Sequence, residues 1–321
     1  MLENYSVLII GGGSIGQRHI LNLKKIGLCQ IYVLKRKHDY KFQEKFNVIV
    51  ITNVNELVNK KIDATFICTP TSLHLEGILI AKKLNSHVFV EKPLTNNKST
   101  LNQIKKINFN NKVFFIGFML RFHPSFLIIK KLINNNRIGK WYNARFEFGS
   151  WLPNWHPNEN YKLGYAARRD MGGGVINTIS HELDMILNLF GVPKNIKGFK
   201  KNLNILEIDV EEITELVFDY PLGLISLHLD YLQKDYDRRV RILGSEGSIN
   251  WDWHSKEIVV TNTGGIKEII KEPLGFEVND LYVDEIKYFF ELIHNNQKIN
   301  SFDLEYSILN TEIILKIHNK T

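Results

Sequence analysis

Cysteine is almost absent: the 321 residues contain two, Cys29 and Cys68. Two thiols cannot build the disulfide framework of a small secreted scaffold, and no zinc-ligand spacing surrounds them, so no metal is expected. Long hydrophobic runs are missing as well. The first apolar segment, residues 7–10, is too short for a signal peptide or a membrane span and runs into glycines. No internal repeat or low-complexity tract stands out, and Asn134-Asn135-Asn136 reads as a turn. Charge is not concentrated either. The formal net charge of +7 comes from scattered lysines without a basic helix, which argues against a nucleic-acid platform and is compatible with small anionic substrates. A cytoplasmic protein with no membrane and no nucleic-acid partner is expected.

What remains is an ordinary globular composition, 44% hydrophobic and 23% charged, in a chain long enough for two domains with real cores. The first half alternates short β-branched strands with helical patterns. Residues 5–10 read as a central parallel strand. Gly11-Gly12-Gly13-Ser14-Ile15-Gly16 follows at once, and a helix pattern runs over 15–26. This is G-x-G-x-x-G in its proper setting, a strand before and a helix after. Gly11 permits the tight turn, Gly13 the approach of a pyrophosphate, and Gly16 close packing of helix on strand. The helix start at Ser14 and Ile15 offers free N–H groups to phosphates.

A second strand, 30–34, ends in Lys35-Arg36-Lys37. A dinucleotide without a 2′-phosphate usually meets an acid about 20 residues past the glycines. Here there are three cations and no acid before Asp39, so Arg36 is read as a grip on a 2′-phosphate and NADP is favoured over NAD. Strands at 48–52 and 64–68 follow, the second running into Thr69-Pro70-Thr71-Ser72-Leu73-His74, where Thr71 or Ser72 is expected to cap a helix. Thr69, Pro70 and His74 then sit at a strand's carboxyl end beside the glycine loop, His74 either on the cofactor or structural. The strand 87–90 ends in Glu91-Lys92-Pro93. A lysine there points into the crevice where open α/β sheets bind ligands, and its pKa falls readily on burial, so Lys92 can donate or accept a proton near neutrality. A strand at 112–118 leads into Met119-Leu120-Arg121-Phe122-His123-Pro124, the exit from a doubly wound sheet.

The second half reads as α+β. A helix at 125–134 precedes an alternating strand at 141–148. Residues 150–171 form a long aromatic loop with Trp151, Trp155, His156 and Tyr161, either sugar contacts or an arm gripping a second subunit. Gly172-Gly173-Gly174 opens a helix expected over 175–190, which would put Asn177 and Thr178 on one face with His181. Six further strands between 195 and 262 and two closing helices complete a mostly antiparallel domain.

Taken together and in order, these motifs resemble the glucose–fructose oxidoreductase/inositol dehydrogenase/rhizopine-catabolism (Gfo/Idh/MocA) family over the whole chain. They are Gly11-x-Gly13-x-x-Gly16, Cys68-Thr69-Pro70-Thr71-x-x-His74, Glu91-Lys92-Pro93, Arg121-Phe122-His123-Pro124, Trp151-Leu152-Pro153-x-Trp155-His156-Pro157, Gly172 through Asp184, and Gly244-Ser245-Glu246-Gly247. The resemblance implies a Rossmann domain over 1–121 and an α+β domain over 122–321 with a large open sheet that builds homodimers or homotetramers, the last helix returning to the first domain. It implies NAD(P)-dependent hydride transfer at a secondary alcohol or ketone. The Trp-His-Pro loop resembles members of bacterial surface-sugar pathways, which implies a sugar or sugar-nucleotide substrate. By the same likeness Glu91, Lys92 and Arg121 join the cofactor contacts, and a cis peptide precedes Pro93. Lys92 and His181 are the catalytic pair, and Lys92, Trp155, Tyr161, Asn177, Thr178 and His181 face the substrate. Many members carry an aspartate one turn before the histidine, where this sequence has Asn177. Two other uses of the fold stay open: glycoside cleavage through transient oxidation by a bound cofactor, and NAD(P)H sensing without turnover.

Overall fold

The structure is a computed structural model that describes residues 5–28, 30–109, 112–295 and 304–320; Cys29 lies outside them. The described chain runs β1 (Ser6–Ile10), α1 (Ser14–Lys25), β2 (Gln30–Leu34), α2 (Tyr40–Phe46), β3 (Ile49–Ile51), β4 (Ala64–Ile67), α3 (His74–Lys83), β5 (His87–Glu91), α4 (Lys98–Ile104) and β6 (Phe114–Gly117). It continues with α5 (Pro124–Asn134), β7 (Trp141–Gly149), α6 (Val175–Thr178), α7 (His181–Phe190), β8 (Asn195–Lys201), β9 (Ile213–Tyr220), β10 (Gly223–Asp230) and β11 (Asp237–Gly244). Last come β12 (Gly247–Asp252), β13 (Glu257–Asn262), β14 (Lys267–Lys271), α8 (Val278–His294) and α9 (Leu304–Lys320). Two compact units result: Met1–Met119 with Glu277–Thr311, and Leu120–Phe276 with Glu312–Thr321.

In the first unit, six parallel strands lie in the order β3-β2-β1-β4-β5-β6. All five residues of β1 are buried, as a central strand covered on both faces requires. On one face the register sets Ile9, Phe66, Phe89 and Phe115 side by side across four strands. Phe66 and Phe89 stack at 4.5 Å, and Phe289 of α8 meets both edge-on at 5.6 Å. Each such ring stabilises the unit by about 1.5–3 kcal/mol through burial. This row is why α8 belongs to the first unit rather than to a second domain running unbroken from residue 122. The opposite face buries Leu8, Ile10, Tyr32 and Ile51. The order reverses between β1 and β4, the topological switch point at which open α/β sheets bind ligands.

The second unit carries an eight-stranded sheet, β14-β13-β12-β11-β7-β10-β9-β8, antiparallel except where β10 runs parallel to β7. Alternate residues such as Ala144, Phe146 and Phe148 face the core. On the other face stand charged Arg145, Glu147, Arg239 and Arg241 with exposed Phe199, Val217 and Leu224 among them. The loop over 150–171 contains four 3₁₀ turns. β14 escapes sequence reading because Lys-Glu-Ile-Ile-Lys, almost wholly exposed, shows no alternation. Neither Thr71 nor Ser72 caps a helix: a 3₁₀ turn spans Thr71–Leu73, and α3 starts behind Leu73 without a side-chain cap. The expected helix over 175–190 is two, broken at Ile179 (ψ 45°).

His228 on β10 bridges two carboxylates, Nδ1 at 2.6 Å from Glu215 Oε1 and Nε2 at 2.9 Å from Asp230 Oδ2. The hydrogen bond to Asp230, then the Glu215 contact, raise its pKa from 6.5 to about 9 against burial. The folded pKa exceeds the unfolded one, so this contribution is complete below about pH 6.5 and is lost as pH rises through about 9. Chemical denaturation at pH 6 and pH 10 is expected to differ by about 1–2 kcal/mol from this site, Glu215 being exposed and screened, and the corresponding term vanishes in His228→Gln.

Candidate active site

The first unit supplies a dinucleotide cradle. Gly11 has φ +104°, and a Cβ on it would lie 2.7 Å from Cys68 O. A Cβ on Gly16 would strike Gly11 O, so both positions exclude any other residue. A Cβ on Gly13 would meet nothing within 4 Å; the loop is open where a pyrophosphate would lie. Ser14 and Ile15 begin α1 behind Gly13, with no side-chain cap on the first-turn N–H groups. Thr69 Oγ1, at the end of β4, is buried and makes no hydrogen bond among the described residues. An open glycine turn, an uncapped helix start and an orphaned hydroxyl all fit the dinucleotide that the sequence implies.

At the end of β2 the three cations are not equivalent. Lys35 Nζ lies 2.6 Å from Asp39 Oδ2 and over the Phe42 ring. Asp39 also caps α2 by accepting from Phe42 N, and the Lys35 hydrogen bond above all lowers its pKa. Arg36 is exposed.

His74 is not available to a cofactor. It is 1% exposed, with Nε2 3.0 Å from Thr69 O and Nδ1 3.2 Å from Leu94 O. Burial lowers its pKa; the neutral imidazole has one N–H, which donates to one of these two carbonyls, while the ring packs between the loop after β4, including Pro70, and the loop after β5. Glu91, also expected on the cofactor, turns its Oε1 to His19 Nε2 at 2.7 Å. Lys92 follows at the carboxyl end of β5, partly buried, joined to Pro93 by a cis peptide.

The second unit builds its site around α7. His181 opens that helix and is 8% exposed. Two buried ion pairs fix the helix. Asp184 takes Arg121 Nε at 2.8 Å and Nη2 at 2.6 Å, and Glu182 takes Arg238 Nε at 2.7 Å. The Arg238 guanidinium lies over Phe148 and Trp253. Arg121, expected on the cofactor, is therefore held by a carboxylate of its own unit. His123 accepts from Ser125 N to cap α5, its pKa lowered by burial to about 3.

Asn177 does not share a continuous helix face with His181, because the helix breaks between them. Its Nδ2 donates to Gly173 O at 3.0 Å and its Oδ1 lies 3.1 Å from His318 Nε2. Lys200 Nζ reaches His318 Nδ1 at 3.3 Å, and burial takes the His318 pKa down to about 4. A neutral imidazole with Nε2–H satisfies both neighbours, so Asn177 anchors the chain's end rather than a substrate. Thr178 is buried beside the Tyr231 hydroxyl. Trp155 lines a cavity of about 490 Å³ together with Trp151, Phe148 and Tyr236; its Nε1 donates to Ser150 Oγ at 2.9 Å. Tyr161 does not line it, and its hydroxyl donates to Leu206 O at 3.1 Å.

A profile of the oxidoreductase family with an NAD-binding Rossmann fold matches residues 5–118, and that of the GFO/IDH/MocA C-terminal domain matches 126–250. The chain belongs to the Gfo/Idh/MocA family of oxidoreductases. It is 26% identical over 308 residues to the uncharacterized oxidoreductase YrbE of Bacillus subtilis, covering 90% of this chain and 86% of that one. It is 25% identical over 308 residues to the myo-inositol 2-dehydrogenase of Thermotoga maritima, covering 90% and 88%. The fold matches a levoglucosan dehydrogenase solved with NADH at a TM-score of 0.87, 18% identity, and coverage of 98% and 96%. It is an enzyme of the NAD-binding oxidoreductase class, and no helix among the described residues is long and apolar enough to cross a membrane.

Proposed function

We propose that this protein oxidises or reduces one secondary alcohol/ketone centre of a sugar or sugar nucleotide. A bound nicotinamide accepts or supplies the hydride in such a reaction. The protein must handle the remaining proton. In the oxidative direction the substrate C–H leaves as hydride, and the O–H proton passes to the neutral amine of Lys92; His181 is the second unit's own candidate proton carrier. The observation that carries this reading is the position of Lys92: at the carboxyl end of a central strand, one strand from the switch point, in the same unit as an open glycine turn. The aromatic cavity beside Trp155 and Trp151 supports a carbohydrate, whose C–H faces suit aromatic rings.

Arg36 is the grip on a 2′-phosphate in this reading, and NADPH the preferred cofactor. Lys35 is neutralised by Asp39, whereas Arg36 stands exposed at the strand end. Fluorescence titration is expected to show NADPH binding about tenfold tighter than NADH, one charge-assisted contact's worth. Arg36→Ala should erase that margin and leave NADH unaffected; equal affinities in the wild type would refute it. A panel of cyclitols, free sugars and nucleotide sugars, followed by nicotinamide absorbance, then tests the reaction. A tightly held cofactor with no net absorbance change on any of them would sink the dehydrogenase reading.

The outer sheet face, with Phe199, Val217 and Leu224 exposed, is proposed as the face that pairs copies of the chain. A monomer in sedimentation equilibrium would refute that pairing.

A further inference from the structure

Glu91 is two residues beyond Phe89 on β5, so it shares the face covered by α1 and α8. There it meets two polar side chains in apolar stripes. On α1 the buried positions are Gly16, His19, Ile20, Asn22, which pairs with Asn279, and Leu23; on α8 they include Leu281, Glu285 and Phe289, four residues apart. His19 and Glu285 are each 0% exposed. One atom from each of His19, Glu91 and Glu285 lies within 4.8 Å of the others. His19 Nε2 is bonded to Glu91, whereas neither Glu285 oxygen has a hydrogen-bond partner among the described residues.

A buried carboxyl at this spot needs a cation or a proton, because an ionised one without a partner is very costly. The geometry speaks against a metal. Two nitrogen or oxygen ligands about 2.0–2.2 Å from one tetrahedral ion stand about 3.4 Å apart. His19 Nε2 and Glu91 Oε1 are 2.7 Å apart, a hydrogen bond between the two would-be ligands. The surroundings are the rings of Phe66, Phe89 and Tyr282 against His19. The other titratable groups facing the cluster are Cys68 at the end of β4, Tyr282 on α8, and Arg18, whose guanidinium lies 4.5 Å over the Tyr282 ring. None of these supplies Glu285 with a salt bridge among the described residues.

We propose that Glu285 is a positioning residue held as a neutral carboxylic acid, its O–H directed toward Glu91 over one buried water. His19 donates to Glu91 from the other side. The Glu91 carboxylate, next to Lys92, is then fixed by one donor from the helix behind the glycine turn and one from α8. The two carboxyl groups carry one negative charge between them. Burial, with the Glu91 charge beside it, pushes the Glu285 pKa well up, in keeping with this assignment. The consequence for function rests on the reading above, in which the glycine turn holds the dinucleotide and Lys92 moves the proton.

Infrared spectroscopy of the cofactor-free protein at pH 7 tests the proton itself. The wild type should show the C=O stretch of a protonated carboxylic acid, and Glu285→Gln should lack it. NADH affinity followed against pH tests the positioning. In the wild type, affinity should fall about tenfold on the alkaline side as Glu285 ionises beside Glu91, one unit of interaction between two carboxylates. In Glu285→Gln, a neutral hydrogen-bond donor of the same shape, that limb should be absent and the pH 7 affinity retained. No acid band in the wild type, a band that survives in Glu285→Gln, or a stoichiometric metal by elemental analysis would each overturn the proposal. An acid band in a protein that binds no dinucleotide would leave the Glu285 assignment standing and remove the functional reading instead.

Discussion

Lys92→Ala is expected to lower kcat by about 100- to 10,000-fold, the usual share of a general acid or base. The side chain is partly buried at a strand end, so its loss opens no core cavity and circular dichroism and Tm should stay near wild type. Lys92→Arg separates charge from proton transfer. Arginine keeps a cation beside the substrate oxygen but does not give up its proton near neutrality. If Lys92 only binds or orients, Lys92→Arg should recover most of the activity. If it moves the proton, Lys92→Arg should remain nearly as slow as Lys92→Ala while binding NADH. Near-full turnover in Lys92→Ala would remove Lys92 from the chemistry altogether.

The parts of this protein that could be read from its sequence are those set by local backbone demands. Gly11 and Gly16 are legible because their α-hydrogens face backbone carbonyls with no room for a Cβ. The Phe66, Phe89 and Phe115 strands are legible because burial on both faces yields unbroken apolar runs. What escaped was decided by distant partners. Nothing in Ile179-Ser180 marks a helix break, since neither residue is glycine or proline, and so Asn177 reads as His181's neighbour. The amphipathic pattern of α8 shows that it buries a face but not in which unit. His74 and Arg121 are polar residues in motifs, and their sequence positions suggest ligands; only the fold brings them to Thr69 O, Leu94 O and Asp184. Glu285 did leave a signal, a carboxylate in the middle of the apolar stripe Leu281–Phe289. A charge at a core position is an error unless functional.

Asp184→Ala should destabilise the second unit by about 3–5 kcal/mol, the cost of leaving one charge of a buried pair without its partner. Asp184 and Arg121 side chains are 1% and 3% exposed, and the contact is two-pronged. The Tm should fall by about 6–20 °C on the usual scaling for a unit of this size. Arg121→Leu should do comparable damage, since it strands the carboxylate instead. The double change Arg121→Leu/Asp184→Leu should be less harmful than the sum of the singles, because two apolar side chains in a dry site need no partner. That cycle also decides what Arg121 is for. As a cofactor contact, it would lose NADH affinity on Arg121→Leu whatever stands at 184, with little change in stability. As the anchor of α7 it loses stability first, and turnover only through the displacement of His181 at the start of that helix. A double mutant that regains Tm and NADH binding together would establish the second role; one that regains Tm alone would return Arg121 to the cofactor.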